Sequence, residues 1–308
     1  MSGRIIGWGS YLPEKILTND DLSEMMDTDD AWIRERTGIE QRHVGGSTGD
    51  MAIRAGRQAL ERAGLTGDDI DLVIVATTTP DQLMPGTSAV VHAELNIRGG
   101  ACDMQAVCSG FVYGLTTATG LLAVGMDRIL VIGSDALSDY VDWTDRSTAI
   151  LFGDGAGAVV IERSDTPTLL SFDLGADGKH RHIGYTDHGG LIRMDGKEVF
   201  RTAVRAVTGS AQRALERANM TSEDIDWFLP HQANLRMIEA IGRRLDIPME
   251  KTVVTIDKTA NNSAATVPIA LDTAVGDGRI ATGDTLLMSG FGFGMTWASA
   301  VIQWLPND

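Results

Sequence analysis

The chain has 308 residues, 43% hydrophobic and 22% charged, and this length predicts about two domains or one large α/β domain. A net charge of −16 argues against a general nucleic-acid binder, which needs a basic surface. Two cysteines are too few for a disulfide framework or a four-cysteine zinc site. Because no long apolar run is present, we expect a soluble, reduced, cytoplasmic protein without a membrane segment.

Apolar runs and amphipathic segments alternate along the chain. Strands are predicted near residues 3–9, 71–78, 128–133, 156–162, 168–174, 226–230, 252–256, 284–289 and 297–304. Helices are predicted near residues 18–26, 48–63, 86–95, 109–124, 198–218, 234–246 and 264–276. Several strands are continuous apolar runs, which is typical of strands covered on both faces. The alternation therefore predicts mixed or parallel sheets with helices on their faces.

One segment of the chain occurs twice. Residues 59–71 read ALERAGLTGDDID and residues 214–226 read ALERANMTSEDID, an offset of 155 (214 minus 59). We interpret the repeat as a duplicated α/β half, with one half over 1–165 and the other over 166–308. The alternative is a common helix–turn–strand arrangement that occurs twice by chance. Two related halves packed together would make five layers, α-β-α-β-α.

Cys108 lies where a short strand leads into an apolar helix, in the segment ACDMQAVCSGFVYGL. The N–H groups at a helix N-terminus favour the thiolate form, so this position indicates a nucleophile. The alternative is a small, buried core thiol. Cys102 lies within the strand, and we expect it to be structural.

His231 follows the strand DWFLP, and open α/β sheets bind ligands at the carboxyl ends of their strands. The position suits an acid–base role, although a histidine in a loop or cap is the alternative. Asn261 follows the segment TVVTI, where it either contributes to the site or caps a helix. Adding the repeat offset to Cys108 gives Ser263, so the two halves should present equivalent junctions at a shared centre.

The glycine-rich segment SGFGFGMTW (289–297) predicts a turn whose N–H groups could line an oxyanion site. It lacks the Gly-Lys-Ser/Thr of a Walker loop and the GxGxxG spacing of a dinucleotide site. No nucleotide cofactor is therefore predicted from this loop.

Over essentially its whole length the chain resembles the β-ketoacyl-acyl-carrier-protein synthase III family of the thiolase superfamily. The context of Cys108 carries this resemblance, together with the segments DAWIRERTGIEQRH, DRSTAILFGDGAGAVV, MDGKEVF, PHQANLRMI, NNSAATVPIALDTAV and FGFGMTW. The resemblance implies a duplicated, five-layered thiolase-like α/β fold and a homodimer.

The family uses a Cys, a His and an Asn together, and the matching motifs assign these roles to Cys108, His231 and Asn261. The implied reaction is a decarboxylating Claisen condensation, which gives a 3-oxoacyl-acyl-carrier-protein and begins fatty-acid synthesis. The thiolate takes the acyl group of an acyl-CoA, and malonyl-acyl-carrier-protein then loses CO2 to form the attacking carbanion. His231 and Asn261 would stabilise the enolate, and no metal or redox cofactor is needed.

The resemblance also implies substrate contacts. Trp32 and Arg146 match the residues on the two faces of the CoA adenine, and Arg36 matches a further CoA contact. Met84 matches a position that closes the acyl pocket of the neighbouring subunit. Phe293 replaces the middle glycine of the usual Gly-Gly-Gly turn, and this change concerns the shape of the acyl site.

Acyl-carrier proteins are acidic, so docking on an acidic enzyme needs a local basic patch. Arg236, Arg243 and Arg244 lie on the predicted helix that follows His231. We assign these three residues, called here the arginine patch, to carrier-protein docking. The alternative is ordinary solvated charge on a helix.

Other functions fit the sequence less well. A degradative thiolase needs a second catalytic Cys near the glycine turn, a hydroxymethylglutaryl-CoA synthase needs a Glu within 77–84, and elongating synthases use two His. The nearest rival is a condensing enzyme or acyltransferase of secondary metabolism with the same Cys-His-Asn site. A papain-like hydrolase also uses Cys, His and Asn, but the repeat disfavours it. A non-catalytic binding module is disfavoured because all three residues are intact.

Overall fold

The computed structural model describes residues 2–306. The strands are β1 (Ser2–Tyr11), β2 (Ile16–Thr18), β3 (Gln41–His43), β4 (Leu72–Ala76), β5 (Gly100–Met104), β6 (Arg128–Ala136), β7 (Asp154–Ser164), β8 (Leu169–Ala176), β9 (Gly184–Tyr185), β10 (Arg193–Met194), β11 (Trp227–Pro230), β12 (Thr285–Gly292) and β13 (Thr296–Gln303). The helices are α1 (Asn19–Met25), α2 (Asp30–Thr37), α3 (Thr48–Ala63), α4 (Thr87–Glu94), α5 (Gly110–Ala123), α6 (Arg146–Ala149), α7 (Gly196–Ala218), α8 (Leu235–Leu245), α9 (Ile256–Thr259) and α10 (Thr266–Gly276).

The two main sheets have the same strand order. The first sheet runs β5-β4-β6-β7-β1, and the second runs β11-β12-β13-β8 with Thr252 bridged to Phe228 beyond β11. In each sheet a parallel pair, β4 with β6 and β11 with β12, is followed by antiparallel pairs. Both sheets are therefore mixed, as the strand–helix alternation predicts.

Helices cover both sheets and fill the space between them. The helices α3 and α4 pack on the outer face of the first sheet, and α7 packs on the outer face of the second. The helices α5 and α10 contact strands of both sheets. An aliphatic core that includes Val131, Leu271 and Met288 fills this central layer. The predicted five-layered α-β-α-β-α architecture is confirmed, whereas the division at residue 165 stays a prediction.

The repeated sequence builds the same helix end twice. Gly64 ends α3 and Asn219 ends α7, both in the left-handed conformation with φ of 67° and 54°. In each copy a Thr–Asp capping box follows, Thr66 with Asp69 and Thr221 with Asp224. The same left-handed helix end and Thr–Asp capping box therefore precede both β4 and β11.

The prediction of a strand over 252–256 is wrong. Only the bridge at Thr252 pairs with the second sheet, and α9 begins at Ile256. The buried side chain of Gln232 accounts for the difference. Its Nε2 donates to Val253 O at 3.1 Å, and its Oε1 accepts from the N–H groups of Thr255 and Ile256 at 3.0 and 3.2 Å. The Gln232 side-chain amide thus makes hydrogen bonds to backbone groups that a strand would use to pair with its neighbour.

The prediction that Ser263 is the counterpart of Cys108 is wrong by one residue. The 3-10 helices Val107–Ser109 and Ser263–Ala265 precede α5 and α10, and their starts differ by 156 (263 minus 107). Val107 and Ser263 also share a positive φ of 50°. The structural counterpart of Cys108 is therefore Ala264. A one-residue insertion before the junction explains the shift.

No helix within residues 2–306 is both long enough and apolar enough to cross a bilayer.

Glycines let each 3-10 helix approach a central strand of the other sheet. A Cβ on Gly133 of β6 would overlap Ala264 O, and a Cβ on Gly290 of β12 would lie 3.1 Å from Cys108 O. These contacts are reciprocal, since each half provides one glycine and one 3-10 helix. Two close backbone contacts, one at Gly133 and one at Gly290, therefore fix the position of the backbone around the site.

We predict that Gly133→Ala lowers the free energy of unfolding by about 1–3 kcal/mol, because the new methyl group overpacks against backbone. Gly120→Ala is the matched control, since a Cβ there, on α5, meets nothing within 4 Å. The control should instead gain about 0.4–1 kcal/mol. Urea unfolding measures both values, and equal stability of the two variants would contradict the proposed packing.

Candidate active site

A cavity of about 1650 Å³ opens where β4, β5 and β11 end. Cys108, His231 and Asn261 all line it, so the structure brings together the three residues that the sequence selects. The first comes from the N-terminal part of the chain and the other two come from the C-terminal part. The cavity therefore lies where loops that follow strands of both sheets meet. This agrees with the shared centre that the repeat predicts.

Cys108 occupies the 3-10 helix that leads into α5. The Ser109 hydroxyl donates to Ala106 O at 2.7 Å and so tightens this turn. On the other side, Gly292 lies so close that a Cβ there would be 2.7 Å from Cys108 N. The thiol is thus held by a strained turn, with Val107 at a positive φ, against a glycine of β12.

Burial raises the pKa of the Cys108 thiol to about 12. The nearby Ser263 hydroxyl lowers this pKa and the charge of Asp135 raises it. This raised pKa goes against the expectation of a thiolate favoured by the helix N-terminus. The physical reason is that α5 begins only at Gly110 and that desolvation penalises the charged sulfur more strongly.

His231 comes directly after β11 and is buried, with 4% of its surface exposed. Its Nδ1 lies 2.7 Å from the Thr266 hydroxyl, and its ring meets Phe291 edge-on at 5.2 Å. Its Nε2 has no hydrogen-bond partner. Burial lowers the pKa of the imidazole to about 3, so the ring is neutral near pH 7. The free nitrogen is available to a ligand in the cavity.

Asn261 is held by its backbone and by its side chain. Its N–H donates to Leu151 O and its carbonyl accepts from Gly153 N, both at 3.0 Å. Its side-chain oxygen accepts from Ser263 N at 2.9 Å. Because Oδ1 is already bonded, the Nδ2 group is the part of the amide left to donate to a ligand.

The glycine-rich turn is shorter than predicted, because β12 continues to Gly292. Phe293 and Gly294 line the cavity beyond the end of that strand. The Phe293 ring covers Gly184 so closely that a Cβ on Gly184 would overlap it. Phe293 therefore forms part of the cavity wall, and Gly184 provides the space for it.

Trp32 lies at the mouth of the cavity, with two guanidinium groups over its ring. Arg36 and Arg146 stack on its ring at 4.6 and 4.8 Å from the centroid. Arg146 also donates to Asp27 O at 2.7 Å. The three predicted CoA-contacting residues are thus brought together, with both arginines stacked on the Trp32 ring.

The arginine patch reaches the same mouth. Arg236 and Arg243 on α8 line the cavity, whereas Arg244 is exposed on the same helix and is not part of the lining. Arg236 lies 4.0 Å from Glu35. Met84 is 77% exposed and does not line this chain's own cavity.

Family models described as 3-oxoacyl-[acyl-carrier-protein (ACP)] synthase III and as its C-terminal part match residues 102–178 and 215–304. A relative from Alkalilimnicola ehrlichii, named beta-ketoacyl-[acyl-carrier-protein] synthase III, is 48% identical over 98% of this chain and 99% of its own. The chain belongs to this family.

Solved structures agree with this assignment. The 3-oxoacyl-[acyl-carrier-protein] synthase III of Aquifex aeolicus has a TM-score of 0.96 at 42% identity, over 98% of this chain and 99% of that one. A priming β-ketosynthase from the R1128 polyketide biosynthetic pathway has a TM-score of 0.95 at 35% identity, over 99% and 97% of the two chains. The thiolase-like fold of the synthase III family is therefore the fold of this chain.

Several residues that shape the site escape the sequence analysis. Thr266, Ser263 and Gln232 act through hydrogen bonds to the three selected residues or to the loop between them. Asp135 could have been noticed, since it is a charged residue at the end of the apolar run RILVIGSD. Within residues 2–306, no three His, Cys, Asp or Glu side chains are grouped so that they could hold a metal ion.

We predict that alkylation of Cys108 by a neutral reagent such as iodoacetamide rises steadily between about pH 7 and 9.5. The raised thiol pKa leaves the thiol protonated through this range, so the thiolate fraction grows about tenfold per pH unit. Mass spectrometry of the Cys108 peptide measures the rate separately from that of Cys102. A plateau near pH 7 would instead show a preformed thiolate and contradict the burial argument.

Proposed function

We propose that this protein condenses an acyl-CoA with malonyl-acyl-carrier-protein, releasing CO2 and CoA and giving a 3-oxoacyl-acyl-carrier-protein that begins fatty-acid synthesis. The observation that carries this proposal is the meeting of Cys108, His231 and Asn261 in one cavity, with a free ring nitrogen and a free amide group. Membership of the synthase III family supports the same reaction. The steps below need no metal or redox cofactor.

In the first half-reaction, the Cys108 sulfur attacks the acyl-CoA carbonyl. The new sulfur–carbon bond replaces the bond to CoA, and the thiol proton ends on the departing CoA sulfur. A thiol with a pKa of about 12 is almost fully protonated at pH 7. Proton loss and attack should therefore be coupled, with an acyl-Cys108 thioester as the product.

In the second half-reaction, His231 and Asn261 donate hydrogen bonds to the thioester carbonyl of the malonyl group. The Thr266 hydroxyl has one proton and two possible acceptors, Ser263 O at 3.1 Å and the closer His231 Nδ1 at 2.7 Å. The donor role of Nε2 requires this proton to go to Nδ1, which places the single proton of the neutral ring on Nε2, facing the cavity. The bond to CO2 breaks, and its electron pair forms an enolate that these donors stabilise. The enolate carbon attacks acyl-Cys108, a carbon–carbon bond forms, and the released thiolate takes a proton from solvent.

A second pair of donors would act on acyl-Cys108 itself. The backbone N–H groups of Cys108 and Phe293 are proposed to bind the oxyanion that forms when this thioester is attacked. The departure from glycine at position 293 keeps the backbone donor. The ring of Phe293 lines the cavity and is proposed to shape the acyl site.

CoA binding is proposed at the mouth of the cavity, with adenine between Trp32 and Arg146. Two stacked contacts of about 3.5 Å each need about 7 Å, whereas Arg146 is 4.8 Å from the Trp32 ring. Arg146 must therefore move away before adenine enters. Arg36, on the same ring at 4.6 Å, is the third proposed contact.

The carrier protein is proposed to dock on the arginine patch. The whole chain carries −16, so it repels an acidic partner at long range. Arg236 and Arg243 line the mouth that leads to Cys108, and an acidic protein seated there would place its thioester arm in the cavity. Arg244 is proposed to add charge at the edge of this surface.

A homodimer is proposed through the edge of the first sheet. The strand β5 pairs with β4 on one side only, and Gly100, Cys102 and Asp103 on it are exposed. An exposed edge strand is a template for pairing with another chain. The exposed Met84 is proposed to reach the partner's acyl pocket. The reaction is proposed to take place in the cytoplasm, where the two free thiols stay reduced.

We predict that His231→Ala and Asn261→Ala each reduce condensation by ~10²–10³-fold, because each removes one donor from the enolate. Acylation of Cys108 should stay within a few-fold of the unchanged protein. Quenched-flow mass spectrometry separates the two half-reactions, and Cys108→Ala is the control that blocks both. Equal loss of acylation and condensation in the two variants would contradict the assigned roles.

We predict that Arg236→Glu combined with Arg243→Glu raises the KM for malonyl-acyl-carrier-protein and leaves acylation by acyl-CoA unchanged. The reason is repulsion between the reversed patch and the acidic carrier. Exposed Arg57 on α3 gives the control, since Arg57→Glu combined with exposed Arg54→Glu changes the net charge equally. An equal effect in patch and control variants would show that net charge, and not the patch, governs docking.

A further inference from the structure

A buried carboxylate that the proposed steps do not use lies beside the site. Asp135, near the end of β6, has no exposed surface, and burial raises its pKa. A buried charge is costly unless it is hydrogen-bonded. The hydrogen-bond donors around Asp135 therefore indicate the role of its charge.

Three consecutive threonines after β4 bind one carboxylate oxygen. Asp135 Oδ1 accepts from the hydroxyls of Thr77, Thr78 and Thr79 at 3.0, 3.2 and 3.2 Å, and from Thr78 N at 2.7 Å. Two of these hydroxyls already accept elsewhere, from Thr79 N at 3.1 Å and from Ala136 N at 2.8 Å. Their protons are thus directed to Asp135, and this favours the ionised form.

The other carboxylate oxygen reaches across to the second half of the chain. Asp135 Oδ2 accepts from Ala264 N at 3.1 Å. The preceding Ser263 has a strained φ of 50°, and its N–H donates to the Asn261 side-chain oxygen at 2.9 Å. A continuous path therefore runs from the first sheet, through the carboxylate and the strained turn, to the amide of Asn261.

We propose that Asp135 is a positioning residue for the condensation step, which holds the Ser263–Ala264 turn so that the Asn261 amide points its N–H group at the malonyl thioester. This inference rests on the proposed function. The carboxylate touches neither substrate nor reacting carbon, and it acts through two backbone N–H groups in series. Its hydrogen bonds fix a turn that a φ of 50° would otherwise disfavour.

The same charge acts against the nucleophile. The charge of Asp135 raises the pKa of the Cys108 thiol and also that of Tyr140. The Ser263 hydroxyl is buried close to both Asp135 and Cys108 and lowers the pKa of each. Asp135 therefore disfavours thiolate formation while it supports the second half-reaction, so its removal should affect the two in opposite directions.

The test is Asp135→Asn. The substituted amide has the same shape, but it presents N–H groups where Ala264 N needs an acceptor. Condensation with malonyl-acyl-carrier-protein should fall by ~10²–10³-fold, the cost of losing one oxyanion donor. Alkylation of Cys108 should shift to lower pH, because a nearby negative charge is gone, and acylation by acyl-CoA should be retained or faster.

Asp154→Asn is the matched control. Asp154 is equally buried, but its carboxylate accepts from Ser138 and Gly46 and does not contact the Ser263–Ala264 turn. It should leave both the ratio of condensation to acylation and the alkylation profile of Cys108 unchanged. The inference is overturned if Asp135→Asn leaves that ratio unchanged, or if the alkylation profile does not move. A chain without either substitution that acylates but never condenses would instead overturn the proposed function itself.

If Asp135→Asn does not fold, Thr77→Val tests the same claim by removing one hydrogen bond to the carboxylate, together with the bond from Thr79 N. The Thr77 hydroxyl lowers the pKa of Asp135, so its loss raises that pKa. The condensation rate, which needs the carboxylate, should then be lost at higher pH on acidification, whereas acylation of Cys108, which the charge opposes, should not fall with it. If the pH at which condensation is lost on acidification is the same as in the unchanged protein, the inference is overturned.

Discussion

The site depends on a reciprocal backbone contact between the two halves of the chain. Gly133 on β6 lies against Ala264, and Gly290 on β12 lies against Cys108, so each central strand receives the 3-10 helix of the other half. A side chain at either glycine would push the junctions apart. Because Cys108 and the loop with Asn261 are placed by these contacts, the chemistry belongs to neither half alone.

Burial then sets the charge state of the groups that meet there. The pKa of Cys108 is raised to about 12 and that of His231 is lowered to about 3, so both are neutral in the resting site. When its proton is on Nε2, the neutral imidazole is a hydrogen-bond donor that does not titrate near pH 7. The site therefore suits stabilisation of an enolate better than storage of a thiolate, and the nucleophile must lose its proton as it attacks.

Much of the fold can be predicted from the sequence, and the elements that were not predicted correctly have physical explanations. The ALERA repeat predicts the duplicated sheets because it encodes a helix cap and a turn in consecutive residues. The 252–256 strand fails because one distant side chain, Gln232, takes over backbone hydrogen bonds that no local pattern reveals. The short elements β2, β3, β9, β10, α6 and α9 carry too few residues to show a period.

The candidate site divides in the same way. Cys108, His231 and Asn261 follow strands or precede helices, which the apolar pattern locates, and family motifs then select them. The sequence marks Asp135 as unusual, but the supporting roles of Thr266 and Asp135 are recognised only in three dimensions, because each reaches across from another part of the fold. Likewise, the resting pKa of Cys108 follows from desolvation in the packed chain and not from its place before a helix.

The central claim is that this cavity performs acylation and condensation in sequence through Cys108. Intact-protein mass spectrometry tests it most directly, with a panel of acyl-CoAs followed by a malonyl-acyl-carrier-protein chase. The account predicts an acyl adduct on Cys108 that the chase discharges, together with a 3-oxoacyl-carrier product and release of CO2. An adduct that persists through the chase, or that passes unchanged to the carrier, would contradict it.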